Sequence, residues 1–172
     1  NRLFVHESGL EAFTNEFVSR VERMRAGNGM KENVKIGPLV NETAIEKIDR
    51  QVKDATAKGA KVLCGGYRLM NNDLHKGYFY APTVLGNVTP NMLVYREETF
   101  GPVAPIIAFK DSDDILAMAN DTHYGLAAYV YTQNLSAAIR TFEGLRFGIV
   151  GINDINPTAA AVPFGGMKES GL

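Results

Sequence analysis

The sequence is poor in the residues that build disulfide-linked or metal-holding domains. Its 172 residues include one cysteine, and its three histidines, His6, His75 and His123, lie far apart. A single thiol cannot close an internal disulfide, and a zinc site needs several clustered ligands. The composition therefore excludes a disulfide scaffold, predicts no metal site and fits a reducing, cytoplasmic setting.

Charge of one sign and long apolar runs are also lacking. The formal net charge is −1, so nothing favours a nucleic acid or an anionic membrane surface as a partner. The longest apolar runs, such as Val103–Phe109, are much shorter than the roughly 20 residues that span a bilayer. Hydrophobic residues make up 45% of the chain and charged residues 22%, a balance typical of folded proteins. We therefore expect a single globular domain with no nucleic acid and no membrane partner.

The first third of the sequence predicts a strand and two amphipathic helices. Residues 1–6 have the pattern of a strand. Ser8 and Glu11 have the spacing of a capping box, and apolar residues then recur every three or four positions as far as Gly27. Asn41 is predicted to cap a second helix that ends at Gly59 and buries four apolar residues: Ile45, Ile48, Val52 and Ala55.

The rest of the chain predicts an α/β fold. Strands are expected at 61–64, at 78–80 and at 83–85. Pro82 predicts a sheet edge or a bend between the last two, and a long hairpin is expected to link them to residues 61–64. Buried strands at 103–109, 127–131 and 147–152 alternate with helices that start at Asp111 or Ser112 and at Asn134. This alternation predicts right-handed βαβ units, and hence a mostly parallel sheet flanked by helices on both faces. Residues 154–172 lack periodicity and are predicted to form a long loop, which in a compact domain is usually functional.

Two segments carry chemistry. In Glu97–Val103, two acids precede an aromatic, a glycine and a proline just before a buried strand. A turn entering the strand explains the glycine and the proline, whereas an aromatic beside two acids also suits a nucleotide site. A carboxylate there can accept hydrogen bonds from sugar hydroxyls, and a ring can pack on a flat heterocycle. In Pro163–Gly171, Gly165-Gly166 lacks the spacing of a phosphate-binding loop, so a structural turn is the simpler interpretation.

Together the two segments resemble the aldehyde dehydrogenase superfamily. Glu97–Val103 resembles its Glu-Glu-x-Phe-Gly-Pro-Val motif, and Pro163–Gly171 resembles its Pro-Phe-Gly-Gly-x-Lys-x-Ser-Gly motif. The resemblance covers the whole chain, and within the superfamily it is strongest to bacterial succinate-semialdehyde dehydrogenases. Further landmarks follow in the family's order: Gly37-Pro38-Leu39, the segment 77–83, Asn120 followed by Tyr124-Gly125-Leu126, and Gly151-Ile152-Asn153.

This resemblance implies a reaction, and it implies that residues 1–172 are part of a longer enzyme. Members oxidise an aldehyde through a cysteine thiohemiacetal, with NAD or NADP accepting hydride and a glutamate acting as base. In relatives the nucleophile lies a few residues before the segment that matches Asn1–Val5. The chain opens inside an apolar segment and stops in a turn, so we interpret residues 1–172 as part of a catalytic domain. It would lack the nucleophile, the base and the cofactor-binding domain, bind cofactor poorly and be inactive alone. The parent is expected to act on a small aldehyde as a homo-oligomer.

The resemblance also assigns residues. Glu98 matches the glutamate that holds the nicotinamide ribose, Phe100 matches the ring on the nicotinamide side, and Lys47 matches a lysine near the adenosine end. Ala44 stands where many relatives have a glutamine that also touches ribose. Phe164 matches an aromatic of the substrate tunnel, and Thr158 stands where succinate-semialdehyde enzymes place a serine that bonds the substrate carboxylate.

Cys64 follows Val62-Leu63 in a strand pattern without a basic partner, so we predict a packed core thiol and no catalytic residue in this chain.

The function of the parent has alternatives. It is alternatively a dehydrogenase for another small aldehyde, or a non-catalytic binding or interaction module built on the same fold. A cysteine following Gly-Gln just upstream of Asn1 would favour the enzyme. The choice between NAD and NADP belongs to the cofactor-binding domain.

Overall fold

A computed structural model describes residues 1–171. They divide into two compact units, of which the first is Asn1–Asp111 and the second begins at Ser112. No helix within the described residues is both long enough and apolar enough to cross a membrane.

The first unit is built on a four-stranded sheet. Six strands and three α-helices occur along its chain: β1 (Leu3–His6), α1 (Leu10–Glu22), β2 (Arg25–Ala26), β3 (Val34–Ile36), α2 (Glu42–Ala57), β4 (Lys61–Cys64), β5 (Thr83–Gly86), α3 (Leu93–Arg96) and β6 (Val103–Phe109). Two 3₁₀ helices, Glu7–Gly9 and Asn72–Lys76, lie between them. The sheet order is β1-β6-β5-β4, in which β6 runs parallel to both β1 and β5 and only β4 is antiparallel. β2 and β3 form a separate parallel pair.

Both faces of this sheet are covered. Successive residues of a strand point to opposite faces, and in β5 and β6 both members of each neighbouring pair, Val84 with Leu85 and Ile106 with Ile107, are buried. On one face Val21 of α1 packs with Val84 and Ile106. On the other, Tyr95 of α3 makes an edge-on ring contact with Phe4 of β1 at 6.3 Å. Helices flank a mainly parallel sheet, as the sequence predicts.

The second unit combines two small sheets with two helices. Its elements are α4 (Ile115–Asn120), β7 (Tyr124–Gly125), β8 (Ala127–Val130), α5 (Leu135–Gly144), β9 (Ile149–Ile152) and β10 (Met167–Lys168). β8 and β9 are parallel, and α5 forms the connection between them, so this part is a βαβ unit. β10 pairs antiparallel with β7. The loop predicted over 154–172 is therefore interrupted by one short strand, and its last residue, Leu172, lies outside the described residues.

The predicted start and end of the first helix are wrong. The side chain of Ser8 bonds His6 Nδ1 at 2.8 Å instead of capping a helix, Glu7–Gly9 forms a 3₁₀ turn, and α1 begins only at Leu10. The helix also ends earlier than Gly27, because Arg25–Ala26 extends to pair with β3.

Three further expectations from the sequence are corrected. The cap of α4 is Asp114, whose carboxylate accepts the Ala117 N–H at 3.0 Å, and neither Asp111 nor Ser112 caps it. Residues 78–80 form no strand beyond one bridge between Tyr80 and Arg68, because residues 77–78 form a turn. The three strands expected in one sheet divide between two, since β6 belongs to the sheet of the first unit and β8 pairs with β9. The second helix begins after its Asn41 cap as predicted.

Candidate functional site

The segment between α3 and β6 is anchored to α2 at its first residue. One carboxylate oxygen of Glu97, Oε2, accepts hydrogen bonds from Arg50 Nη2 at 2.8 Å and from Gln51 Nε2 at 3.1 Å. The Glu97 backbone N–H also donates to the Leu93 carbonyl at 2.8 Å, which ends α3. Gln51 is fully buried, so one of the two donors to Glu97 is held in place by the packing around α2.

The far end of the same segment is fixed by close packing. A Cβ atom on Gly101 would lie 2.1 Å from Cδ1 of Ile48, so any larger residue would force the buried Ile48 side chain to shift. The next residue, Pro102, accepts the Thr83 N–H at 2.8 Å and joins the segment to the start of β5. Both ends of the stretch 98–100 are therefore held by neighbouring elements.

Between these anchors one side chain is buried and two are exposed to solvent. Thr99 is buried, and its hydroxyl has no hydrogen-bond partner among the described residues. Glu98 is exposed, and the ring of Phe100 is 81% exposed. Phe100 also has φ +51°, a left-handed conformation that costs a bulky residue on the order of 1–3 kcal/mol. The fold therefore presents a carboxylate and an aromatic ring together to the outside.

Helix α2 also carries the other two residues that the sequence associates with a cofactor. Lys47 and Ala44 are half-buried on this helix, and Lys47 directly precedes the Ile48 that contacts Gly101. The Ala44 N–H donates to the Asn41 cap at 2.9 Å, and its side chain is a methyl group that offers no polar atom. The structure therefore anchors Glu97 and Gly101, on either side of Glu98–Phe100, to the helix that bears Lys47.

Cys64 has the environment of a packed thiol rather than of a reactive one. Its thiol is half-buried at the end of β4, packs against the core around Val84 and lies 3.9 Å from the Pro82 carbonyl. Burial is the main effect that raises the pKa of this thiol, so little thiolate is present at neutral pH. A half-buried thiol with a raised pKa is a poor nucleophile.

The second unit carries the two residues that the sequence associates with a substrate. Thr158 and Phe164 both lie in the segment between β9 and β10, and both are exposed, the Phe164 side chain to 69%. The segment contains one local turn, in which the Val162 N–H donates to the Ala159 carbonyl at 3.0 Å. Thr158 thus offers an exposed hydroxyl, and Phe164 offers an exposed ring.

The end of this segment is tied down by its lysine and serine. Lys168 Nζ donates to the carbonyls of Asn120 at 3.0 Å and Thr122 at 3.1 Å, and lies 5.2 Å from the centre of the Phe147 ring. The Ser170 hydroxyl accepts the Gly125 N–H at 3.1 Å. Lys168 therefore satisfies carbonyls at the end of α4 and fixes the exit of the loop.

Two asparagines act as backbone substitutes in the same unit. Asn120 bonds the Gly144 carbonyl at 2.8 Å through Nδ2 and the Arg146 N–H at 2.8 Å through Oδ1. Asn153, at φ +54°, bonds both the N–H and the carbonyl of Thr132, at 3.0 Å and 2.9 Å. Each side chain supplies one donor and one acceptor to backbone groups outside the strands, and so holds a connection of this unit in place.

The comparison with known families decides what these segments belong to. The model of the aldehyde dehydrogenase family matches residues 1–172, which is the whole chain. The chain belongs to the aldehyde dehydrogenase family. Among the described residues, no three histidine, cysteine or acidic side chains come together as a metal site would require.

Individual aldehyde dehydrogenases are similar over the full chain. The mitochondrial succinate-semialdehyde dehydrogenase of Oryza sativa subsp. japonica is 45% identical over 100% of this chain and 32% of its own length. A non-phosphorylating aspartate-semialdehyde dehydrogenase of Halomonas elongata is 43% identical over 100% of this chain and 34% of its own. The crystal structure of succinate-semialdehyde dehydrogenase from Burkholderia pseudomallei matches with a TM-score of 0.93 and 41% identity, over 99% of this chain and 35% of that one.

The chain thus spans about a third of the length of these aldehyde dehydrogenases. Sequence reasoning identified the two exposed pairs of residues but missed the residues that hold them, Arg50, Gln51 and Lys168. For Lys168 a signal existed, because it occupies the lysine position of the family motif. For Arg50 and Gln51 no sequence signal existed, since they meet Glu97 across more than forty residues of chain.

Proposed function

We propose that this chain is part of the catalytic domain of a longer aldehyde dehydrogenase that uses NAD or NADP to oxidise a small aldehyde bearing a carboxylate. Succinate semialdehyde is the first candidate. The observation that carries the proposal is the Glu97–Pro102 segment, which holds Phe100 in a strained, exposed conformation beside an exposed Glu98. Strain of this kind persists where the surroundings enforce it, and it concentrates at functional sites.

The residues of this segment fit a nicotinamide riboside. The Glu98 carboxylate accepts hydrogen bonds from ribose hydroxyls, and the Phe100 ring packs beside the flat nicotinamide ring. The ammonium of Lys47, on α2, serves the adenosine end of the same dinucleotide. When bound, the dinucleotide accepts hydride from the substrate, and the role of this chain is to orient it.

The nucleophile is not Cys64. Its half-buried thiol has a raised pKa, whereas the reaction needs a thiolate that attacks a carbonyl. We therefore propose that the longer protein contributes the reactive cysteine from outside residues 1–172, and that these residues alone oxidise no aldehyde. A homo-oligomeric longer protein in a reducing, cytoplasmic compartment completes the proposal.

The substrate assignment rests on the second unit. Thr158 presents an exposed hydroxyl in the loop that also carries Phe164. A hydroxyl donates well to a carboxylate, and a ring suits the short carbon chain between carboxylate and aldehyde. Two of the similar enzymes are named for succinate semialdehyde and one for aspartate semialdehyde, so another carboxylated semialdehyde is the second candidate.

Thr158→Ala in the longer protein tests this assignment. Losing one hydrogen bond to a charged group costs roughly 1.5–3 kcal/mol, so kcat/KM for succinate semialdehyde should fall about tenfold to a hundredfold. A neutral aldehyde of similar length should lose far less, because it has no carboxylate for the hydroxyl to bond.

The matched control is Thr158→Ser, which keeps the hydroxyl and should retain most of the activity toward the carboxylated substrate. An equal loss of kcat/KM for the charged and the neutral aldehyde would show that Thr158 is only a loop residue. No NAD(P)H formation by the longer protein with any carboxylated semialdehyde would remove the proposed function altogether.

A further inference from the structure

The anchor at Glu97 raises a question that the proposed cofactor contacts leave open. Glu98 and Phe100 are the residues assigned to the dinucleotide, yet neither is held by contacts of its own functional group with α2. Glu97, the residue before them, is the one bound to the helix, at 2.8 Å from Arg50 Nη2 and 3.1 Å from Gln51 Nε2.

Both hydrogen bonds converge on the same carboxylate oxygen. Arg50 supplies a positive charge at the surface, with 56% of its side chain exposed, and Gln51 supplies a neutral donor from a fully buried position. A charged and a buried donor on one oxygen fix the direction of the carboxylate more tightly than either alone. They therefore fix the direction in which the chain leaves Glu97.

The short stretch after Glu97 has little conformational freedom with which to compensate a displacement of Glu97. Gly101 is pressed against Ile48 and Pro102 bonds Thr83, so the chain has only three residues between its two anchors. One of the three, Phe100, is already in a left-handed conformation. A shift at Glu97 is therefore passed directly to the carboxylate of Glu98 and the ring of Phe100.

We propose that Arg50 and Gln51 are positioning residues for the dinucleotide, which act through Glu97 to set the placement of Glu98 and Phe100. This proposal rests on the cofactor role given to Glu98 and Phe100 under the proposed function. Arg50 and Gln51 need not touch the dinucleotide themselves.

The test uses Arg50→Met with Gln51→Met in the longer protein. The Gln51→Met change keeps the side-chain length and removes a buried amide whose Oε1 has no partner, so the fold should tolerate it. We expect the dinucleotide KM to rise and single-turnover hydride transfer to slow by roughly tenfold, because small misplacements in such a site are costly. The melting temperature should match that of Arg20→Met, a control that removes an arginine from the exposed Glu16 pair on α1.

A double-mutant cycle shows whether the effect passes through Glu97. In a Glu97→Gln background, adding Arg50→Met should cost little further activity, since the carboxylate that Arg50 orients is already gone. Arg50→Lys should restore part of the rate, because an ammonium still pairs with the carboxylate but lacks the geometry of the guanidinium. Full additivity of Arg50→Met and Glu97→Gln, or kinetics of the double methionine variant equal to those of Arg20→Met, would overturn the proposal.

Glu98→Gln, measured in the same assay, separates the positioning role of Arg50 and Gln51 from the cofactor role of Glu98. If Glu98→Gln is slow and the double methionine variant is not, the positioning role fails and the cofactor role stands. If Glu98→Gln has no effect on hydride transfer, the cofactor role fails, and the positioning role fails with it.

Discussion

Phe100 combines a positive φ with a ring that is largely exposed, whereas its neighbour Thr99 is buried. The exposed ring gains too little from burial to compensate the strained backbone, so the compensation comes from the anchors at Glu97 and Gly101. At the scale of single residues, the site depends on what fixes the chain around the functional side chains.

Gly101→Ala should destabilise the chain through one clash. The added Cβ would lie 2.1 Å from Ile48 Cδ1, and relieving such an overlap in a packed region costs about 1–3 kcal/mol in the free energy of unfolding. Urea denaturation of the 172-residue chain measures this cost. Gly29→Ala, where no atom lies within 4 Å of the new Cβ, is the control and should change little.

Ile48→Val supplies the second arm of that experiment, because it removes the Cδ1 atom itself. Combined with Gly101→Ala, it should recover part of the stability that the alanine loses. Strictly additive losses in the double variant would show that Ile48 is not the cause of the clash.

Cys64→Ala should leave catalysis by the longer protein intact. The thiol is half-buried with a raised pKa and lies beside the Pro82 carbonyl, so it contributes packing and no nucleophile. The expected result is an unchanged kcat with a modest fall in melting temperature. Loss of the acyl-enzyme burst in Cys64→Ala would instead identify this thiol as the reacting group.

At the scale of elements, α2 is the part of the first unit on which the candidate site is built. Its residues contact Glu97 and Gly101, and its carboxylate Asp54 accepts the Leu93 N–H at 2.7 Å, where α3 begins. Lys58 pairs with the same carboxylate at 2.7 Å. The helix thus holds both α3 and the segment that follows it.

Asp54 makes the stability of this junction depend on pH. The Leu93 N–H, and then Lys58, hold the pKa of the Asp54 carboxyl below its ordinary value. A lowered pKa in the folded state stabilises the fold above the ordinary aspartate pKa of about 4, and this contribution is lost as the pH falls below it. At pH 7, Asp54→Asn should therefore have a lower free energy of unfolding than the unchanged chain. At about pH 3 the difference between the two should be much smaller.

Chemical denaturation at the two pH values measures this difference. Asp73→Asn is the control, since Asp73 pairs with Lys76 at an exposed site where ion pairs contribute little. A gap between Asp54→Asn and the unchanged chain that stays constant from pH 7 to pH 3 would contradict the assigned role of Asp54.

At the scale of the whole molecule, the sequence predicts local structure better than long-range contacts. Asn41 and Asn134 are recognisable caps because each side chain reaches an N–H only three residues ahead. Ser8 has the same local pattern, but a contact with His6 replaces the cap. Burial of β6 on both faces is visible as an apolar run, yet its partners β1 and β5 follow only from the folded sheet.

The candidate site shows the same limit. The exposed pair Glu98 and Phe100 is marked by an aromatic beside acids, which a simple turn does not explain. The donors that hold the pair come from a different helix, and nothing in their own sequence neighbourhood marks Arg50 or Gln51. The role of Asn153 likewise becomes clear only when its side chain is seen to bond both the N–H and the carbonyl of Thr132.

The most direct test of the central claim is the single-turnover rate of hydride transfer in Glu98→Gln of the longer protein. If Glu98 orients the nicotinamide ribose, this rate should fall by on the order of a hundredfold while the melting temperature stays unchanged. Glu11→Gln, an exposed glutamate on α1, should transfer hydride at the normal rate. A Glu98→Gln rate equal to that of Glu11→Gln would show that residues 97–102 do not hold the dinucleotide.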